Sequence, residues 1–265
     1  MPTITDPGPV LQGLMTNLDL ANPNFIGVAI PCAIAFLGGY MVYIFCLLIL
    51  AREKTSCYPA WMHTFYFACD FLGCIFWAQL GMATGFWAFW AFSICMAIWV
   101  ILEIISMYFS NKYERQEVYG RLFKGEVSMG KATAVEVAQI IMWMCVIANF
   151  IHYMGGYEDA AFFKLYFWTN LMVPLGAMWY WMKRGAATGT RQGAGLALTI
   201  MVFITILITW TPAGIGMWCT ISDFFWTPTC IIAGIMTTIY SAWTIWYQSK
   251  LAPKPIVVEG KKPLP

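Results

Sequence analysis

Charge is scarce in this chain. Only 11% of its 265 residues are Asp, Glu, Lys or Arg, against about 25% in an ordinary soluble domain. Histidine occurs twice, at His63 and His152. No Cys-x-x-Cys pair or Cys/His cluster is present, which removes the usual zinc and dithiol motifs. A net charge of +2 leaves no basic footprint for nucleic acid. The first twenty residues, MPTITDPGPVLQGLMTNLDL, lack the basic start and apolar stretch of a cleaved signal peptide, so the first apolar segment is expected to stay in the mature protein.

Apolar residues take the place of charge, at 60% of the chain. They come in runs of about twenty, the length a helix needs to cross ~30 Å of hydrocarbon, rather than in the short alternating segments of an outer-membrane barrel. The expected fold is all-α, a polytopic membrane protein with seven transmembrane helices. The spans read as 25–51, 58–80, 85–110, 133–154, 161–182, 193–215 and 223–248. This gives a segment at 1–24, a transmembrane domain at 25–248 and a Pro/Lys-rich tail at 249–265.

Basic loops stay cytoplasmic, so the Lys and Arg positions set the orientation. Of fifteen such residues, all but Lys164 fall on one side: Arg52 and Lys54, the stretch from Lys112 to Lys131, Lys183 to Arg191, and Lys250 to Lys262. The N-terminus is therefore expected outside and the C-terminus in the cytoplasm. Lys164 is expected to reach the outer rim, near Glu158 or Asp223. Seven of the nine cysteines fall inside spans, where a thiol behaves as a small apolar group. Cys57 faces the cytoplasm and Cys219 has no outer partner, so no disulfide is expected.

An ionisable side chain at a helix centre costs on the order of 2.5–3.5 kcal/mol and is a functional candidate by default. Asp70, in YFACDFLGC, lies about 12 residues from the cytoplasmic end of its span, roughly 18 Å deep. Glu103, in WVILEIISMY, lies about 7 residues from the end of the next, roughly 10 Å deep. A tight turn joins the two helices, so both carboxyls are expected to line one cavity walled by aromatics. Asp70 and Glu103 are the candidate catalytic residues. Tyr66, Trp77, Trp99, Trp168, Asn149 and Asn170 are the candidate ligand-binding residues. The alternative is that each carboxyl is hydrogen-bonded to a neighbouring helix and ties the bundle together. His63 and His152 differ in depth by roughly 20 Å, so they cannot share a haem, and neither a cofactor nor a metal is expected. His152, with Cys145 and Asn149 on its face, reads either as an ordinary interfacial histidine or as part of a small outward pocket.

The third span and its tail, IWVILEIISMYFSNKYERQEVYG, with the later TNLMVPLGAMWYWMKRGAATGTRQG, resemble the seven-helix membrane terpene cyclases of fungal meroterpenoid and indole-diterpene pathways and their bacterial relatives. Trp99, Glu103 and Tyr108 stand in the first pattern, and Asn170, Arg184, Gly185 and Gly189 in the second. The resemblance implies an enzyme that starts an isoprenoid cascade by protonating an epoxide or olefin. It also implies an acid in the second helix, in an Asn-x-x-Trp-Glu stretch, and another in the last. Here the second helix reads ACDFLGCIFWAQ, with Ala78 and Gln79 after Trp77, and the last helix offers Thr237 and Thr238. Asp70 or Glu103 would therefore have to serve as the acid.

Three readings follow. The first is a membrane enzyme acting on a lipophilic, isoprenoid-like substrate by acid catalysis within the bilayer, in a bacterial inner membrane or the endoplasmic reticulum. The second is a non-catalytic subunit of a larger membrane complex, with membrane lipids and protein subunits as its partners. The third is a transporter or receptor, which lacks support because the two halves carry no matching broken helices.

Overall fold

A computed structural model describes residue 2, residues 4–210 and residues 217–254. The described secondary structure is helical, and the one isolated bridge pairs Thr190 with Ala252. Five helices are long and apolar enough to cross a membrane: α2 (Phe25–Glu53), α3 (Ala60–Thr84), α4 (Trp87–Tyr119), α5 (Met129–Tyr153) and α10 (Pro228–Ser249). A further helical run comprises α6 (Ala161–Met172), a π-helical stretch (Val173–Met178) and α7 (Trp179–Thr188). The remaining apolar helix, α8 (Leu196–Trp210), stops at residues outside the description, and a short helix, α9 (Met217–Ile221), follows them. Residues 211–215 of the expected sixth span, and Lys261 and Lys262 of the tail, lie outside it too.

Local chemistry sets the helix ends. Gly85, at φ 69°, ends α3 in the left-handed region and makes the tight turn into α4. Ser128 and Thr227 accept backbone N–H bonds at the starts of α5 and α10. Pro228 at the first turn of α10 explains why that helix begins after residue 223, the expected start, since Asp223–Phe225 forms a separate 3-10 turn. Pro174 opens the π-helical stretch, where its ring and missing N–H disturb the regular ladder. α4 runs 33 residues, or about 50 Å at 1.5 Å per residue. It therefore overshoots the expected end at 110 and carries Asn111, Glu114 and Arg115 past the apolar zone.

Hydrogen bonds hold the first and last described segments on two opposite faces. On the N-terminal face a short helix, α1 (Pro9–Asn17), buries Val10, Leu11 and Leu14 completely. Gly8 N–H donates to the Glu158 carbonyl, Asn17 to the Ile221 carbonyl and Ser222 to the Pro9 carbonyl. Lys164 pairs here with Asp159 and donates to the Met154 carbonyl. On the other face, the tail face, Lys254 reaches the Glu53 carbonyl at 2.6 Å and Thr55 Oγ1 at 2.7 Å.

α3 is the central helix, with half of its apolar window buried inside the protein, whereas α5 buries 11% of its window and lies at the edge. Close approach uses small residues, as in other apolar-phase bundles. A Cβ on Gly38 of α2 would collide with Thr205 Oγ1 of α8. The outward surface carries Ile26, Ile30, Ile94, Ile101, Leu175 and Ile239, each more than half exposed, a surface suited to hydrocarbon. The nine cysteines are free and unpaired.

Candidate functional site

A partly open cavity of about 130 Å³ lies within the bundle. α2 supplies Gly39, Val42 and Tyr43, the 54–59 segment Tyr58, α3 Tyr66, Cys69 and Asp70, and α4 Trp99. The opposite wall is Tyr166, Thr169, Asn170 and Val173, closed by Val202, Thr205 and Ile206 of α8. The wall containing Asn170 and Val173 borders the π-helical stretch, a kind of irregularity often found beside functional sites. A second lobe of about 100 Å³ shares Gly39, Trp99, Tyr166, Asn170 and Thr205 and continues to Phe36, Thr209 and Met217.

Asp70 is the carboxyl at this cavity. It is 5% exposed, and no hydrogen bond or ion pair to it is found among the described residues. A buried carboxylate with no cation or hydrogen-bond partner carries an uncompensated desolvation cost. The nearby rings are fixed: Tyr66 donates to the Thr169 carbonyl at 3.1 Å, Tyr166 to Met96 Sδ, and Tyr40 to the Cys95 carbonyl at 3.0 Å. Trp99 stacks on Phe36 with centroids 5.3 Å apart.

Glu103 sits one layer away. It is fully buried, is not part of the cavity wall, and has both oxygens engaged. Tyr43, which does line the cavity, donates to Oε1. His63 Nδ1 lies 2.7 Å from Oε2, and its Nε2 lies 3.0 Å from Ser56 Oγ. Ser56 Oγ donates its single proton to the Tyr58 carbonyl at 2.9 Å. The Ser56 peptide is itself held, its N–H by Glu114 at 2.8 Å and its carbonyl by Arg184 at 2.8 Å. Arg184 also bonds Tyr180 and stands 3.7 Å from Glu114. A second buried carboxyl cluster joins Asn111, Tyr119 and Glu136.

The structure thus separates the residues that the sequence singles out. Asp70, Tyr66, Trp99 and Asn170 line the cavity. Glu103 touches it only through Tyr43, because its carboxyl is consumed by two internal partners. Trp77 does not line it: the indole is fully buried among Phe76, Phe89, Phe92 and Phe162, deeper in the ring-packed core. Trp168 does not line it either, since it points outward and is 54% exposed. Asn149 is exposed on α5 and bonds only the Cys145 carbonyl, the ordinary local satisfaction of an outward polar side chain. His152 is also exposed. The cavity is smaller than an ordinary ligand pocket of roughly 300–1,000 Å³.

Tyr43 and Ser56 are not singled out by the sequence, and His63 is weighed there only as a haem or metal ligand. Depth was the available signal. His63 stands about five residues from the expected span start at 58 and Glu103 about seven from the expected span end at 110, which puts them level on neighbouring helices. Among the described residues no three His, Cys, Asp or Glu side chains are placed to hold a metal ion. No known protein family, curated protein or solved structure matches this chain.

Proposed function

We propose that this chain is an integral membrane enzyme that performs acid chemistry on a lipophilic, isoprenoid-like substrate, in the manner of the membrane terpene cyclases. Seven crossings, with the N-terminus outside and the C-terminus in the cytoplasm, belong to the same proposal. The five long apolar helices, the run 161–188 and α8 supply enough crossings, and the basic residues on the tail face supply the orientation.

The observation that carries the reading is Asp70: an unpartnered, buried carboxyl at the wall of an aromatic cavity. A neutral acid there can protonate an epoxide or olefin, and the faces of Tyr66, Tyr166 and Trp99 can stabilise the cation that results. About 130 Å³ suits the reacting end of a chain rather than a whole lipid, as a cavity of about 150 Å³ accepts benzene. The rest of the chain would lie along the second lobe.

The test uses the 6,7-epoxide of geranyl acetate, with protein in lipid nanodiscs. Wild type should consume it, and Asp70→Asn should lose on the order of 10²–10⁴ in rate, the usual worth of a general acid, with unchanged thermal unfolding. Equal rates in the two proteins refute the assignment. A second reading, a subunit of a larger complex, draws on the sparse burial of α5. Native mass spectrometry from membranes would then find a stoichiometric protein partner.

A further inference from the structure

Hydrogen-bond donors and acceptors fix the protons along the chain from Ser56 to Tyr43. Ser56 Oγ gives its only proton to the Tyr58 carbonyl, so in the 3.0 Å contact with His63 the Nε2 must be the donor. Between His63 Nδ1 and Glu103 Oε2, at 2.7 Å, one proton must lie, because two lone pairs would otherwise face each other. Tyr43 donates to the other oxygen of Glu103. From the cavity wall inward, Tyr43 donates to Glu103 and His63 Nε2 donates to Ser56, with a single proton shared between Glu103 and His63. A chain with that polarity accepts a proton at its cavity end.

We infer that Tyr43, Glu103 and His63 form the proton acceptor that partners Asp70, taking up the proton a substrate cation releases; this rests on the acid chemistry proposed above. Asp70 gives its proton to the epoxide oxygen and the C–O bond breaks, leaving a tertiary cation. A C–H bond beside the cation then breaks, and its electron pair becomes the new C=C bond. The released proton lands on Tyr43 Oη while the phenol's own proton passes to Glu103 Oε1. The shared proton moves to His63 Nδ1. The pair ends as imidazolium and neutral carboxylic acid, one positive charge, matched by the carboxylate left on Asp70. After the product leaves, the proton returns from Tyr43 to Asp70 across the cavity that both of them line.

The charged and titratable groups around His63 are suited to this. Glu114 of α4 and Glu136 of α5 are within its electrostatic reach, and the Tyr58 ring stands 5.7 Å away. Arg184 of α7 is directed to the Ser56 carbonyl and to Glu114 instead. An imidazolium at His63 thus faces carboxyls. Tyr43 is the member that touches substrate, and Glu103 and His63 act through it as positioning and relay residues.

Product partition separates this role from a structural one. Wild type should convert the 6,7-epoxide of geranyl acetate chiefly to olefinic products, the allylic alcohol and its cyclised relatives. Tyr43→Phe, which removes only a hydroxyl, and His63→Gln are read by the products formed per epoxide consumed, whatever their rates. Their cation then waits for water, so the ratio of vicinal diol to olefin should rise at least tenfold. If His63→Gln does not fold, Tyr43→Phe decides alone. An unchanged ratio in folded Tyr43→Phe, with consumption lost in Asp70→Asn, overturns the acceptor and leaves the acid standing. No consumption by wild type overturns both.

Discussion

The tail-face half of the bundle and the N-terminal-face half are held together by different means. Toward the tail face the helices are joined through polar pairs: His63 with Glu103 at 2.7 Å, Asn111 with Glu136 at 2.5 Å, and Gly193 N–H with Glu53 at 2.9 Å. Toward the N-terminal face they are joined by rings. Trp77 packs on Phe92 at 5.1 Å, Phe163 on Trp218 at 4.6 Å, and Phe76 on Tyr157 at 4.4 Å. In hydrocarbon the hydrophobic effect does not press helices together, so association depends on close packing and on hydrogen bonds. The tail-face half leans on buried hydrogen bonds and the N-terminal-face half on rings, alongside its Lys164–Asp159 pair, and the cavity with Asp70 lies where ring packing gives way to the polar network. A carboxyl can remain unpaired there because neither kind of packing closes over it.

The polar half should be the more sensitive to loss of a single partner. His63→Ala leaves the fully buried Glu103 with only Tyr43, and breaking such a buried pair costs about 3–5 kcal/mol. Glu103→Gln keeps the shape and one acceptor and should cost clearly less. Reversible unfolding in detergent checks both, and equal losses for the two variants would contradict a pair held by its shared proton.

The ring half should answer to volume instead. A Cβ at Gly73 would meet the Phe162 ring at 2.7 Å and the Tyr166 hydroxyl at 2.9 Å. Gly73→Ala should therefore cost about 1–3 kcal/mol by overpacking. Replacing Phe162 by Leu in the same protein should recover part of that loss. If it recovers nothing, the ring packing is not what limits the site.

The contrast also explains what was legible in the sequence. Long apolar runs reveal helices that can cross a membrane, and five of them are found. Their ends drift by a few residues where a cap or proline decides, as Pro228 does for α10. α1 was missed, although Val10, Leu11, Leu14 and Leu18 follow a helical stripe, because a short surface helix gains its stability from docking rather than from its own length. Asp70 draws notice by its depth, and Trp99 and Asn170 stand in the stretches that carry the resemblance; with Tyr66 they line the cavity. Trp77 and Trp168 were not separable from Trp99, since an indole in an apolar span can face core, cavity or lipid. The pairing of Glu103 with His63 needed both depths to be compared directly.

Asp70 itself should matter little to stability. It has no partner to lose, so Asp70→Asn should shift unfolding by about 1 kcal/mol or less, in either direction. A loss as large as that of His63→Ala would mean that the carboxyl ties helices together, which would remove the ground for an acid at the cavity.

The smallest effect belongs to the tail, where the polar half meets solvent. Lys254 bonds the Glu53 carbonyl and Thr55. Burial pushes its ammonium below the ordinary 10.5, with the Glu53 carboxylate pulling it partly back and Arg184 opposing it. Between that lowered value and 10.5 the docked tail binds fewer protons than the undocked one, so docking strengthens as pH rises through this window. Below it, the burial cost is present in full and offsets most of the two hydrogen bonds. Lys254→Met should therefore change stability at neutral pH by less than about 1 kcal/mol. Hydrogen exchange of the backbone amides of residues 250–252 should slow, relative to free-peptide rates, as wild type is taken from neutral pH toward 10.5, and show no such trend in Lys254→Met. A trend of the same slope in both proteins would assign the effect to another group, and protection that falls with pH would mean that attraction to Glu53 outweighs burial.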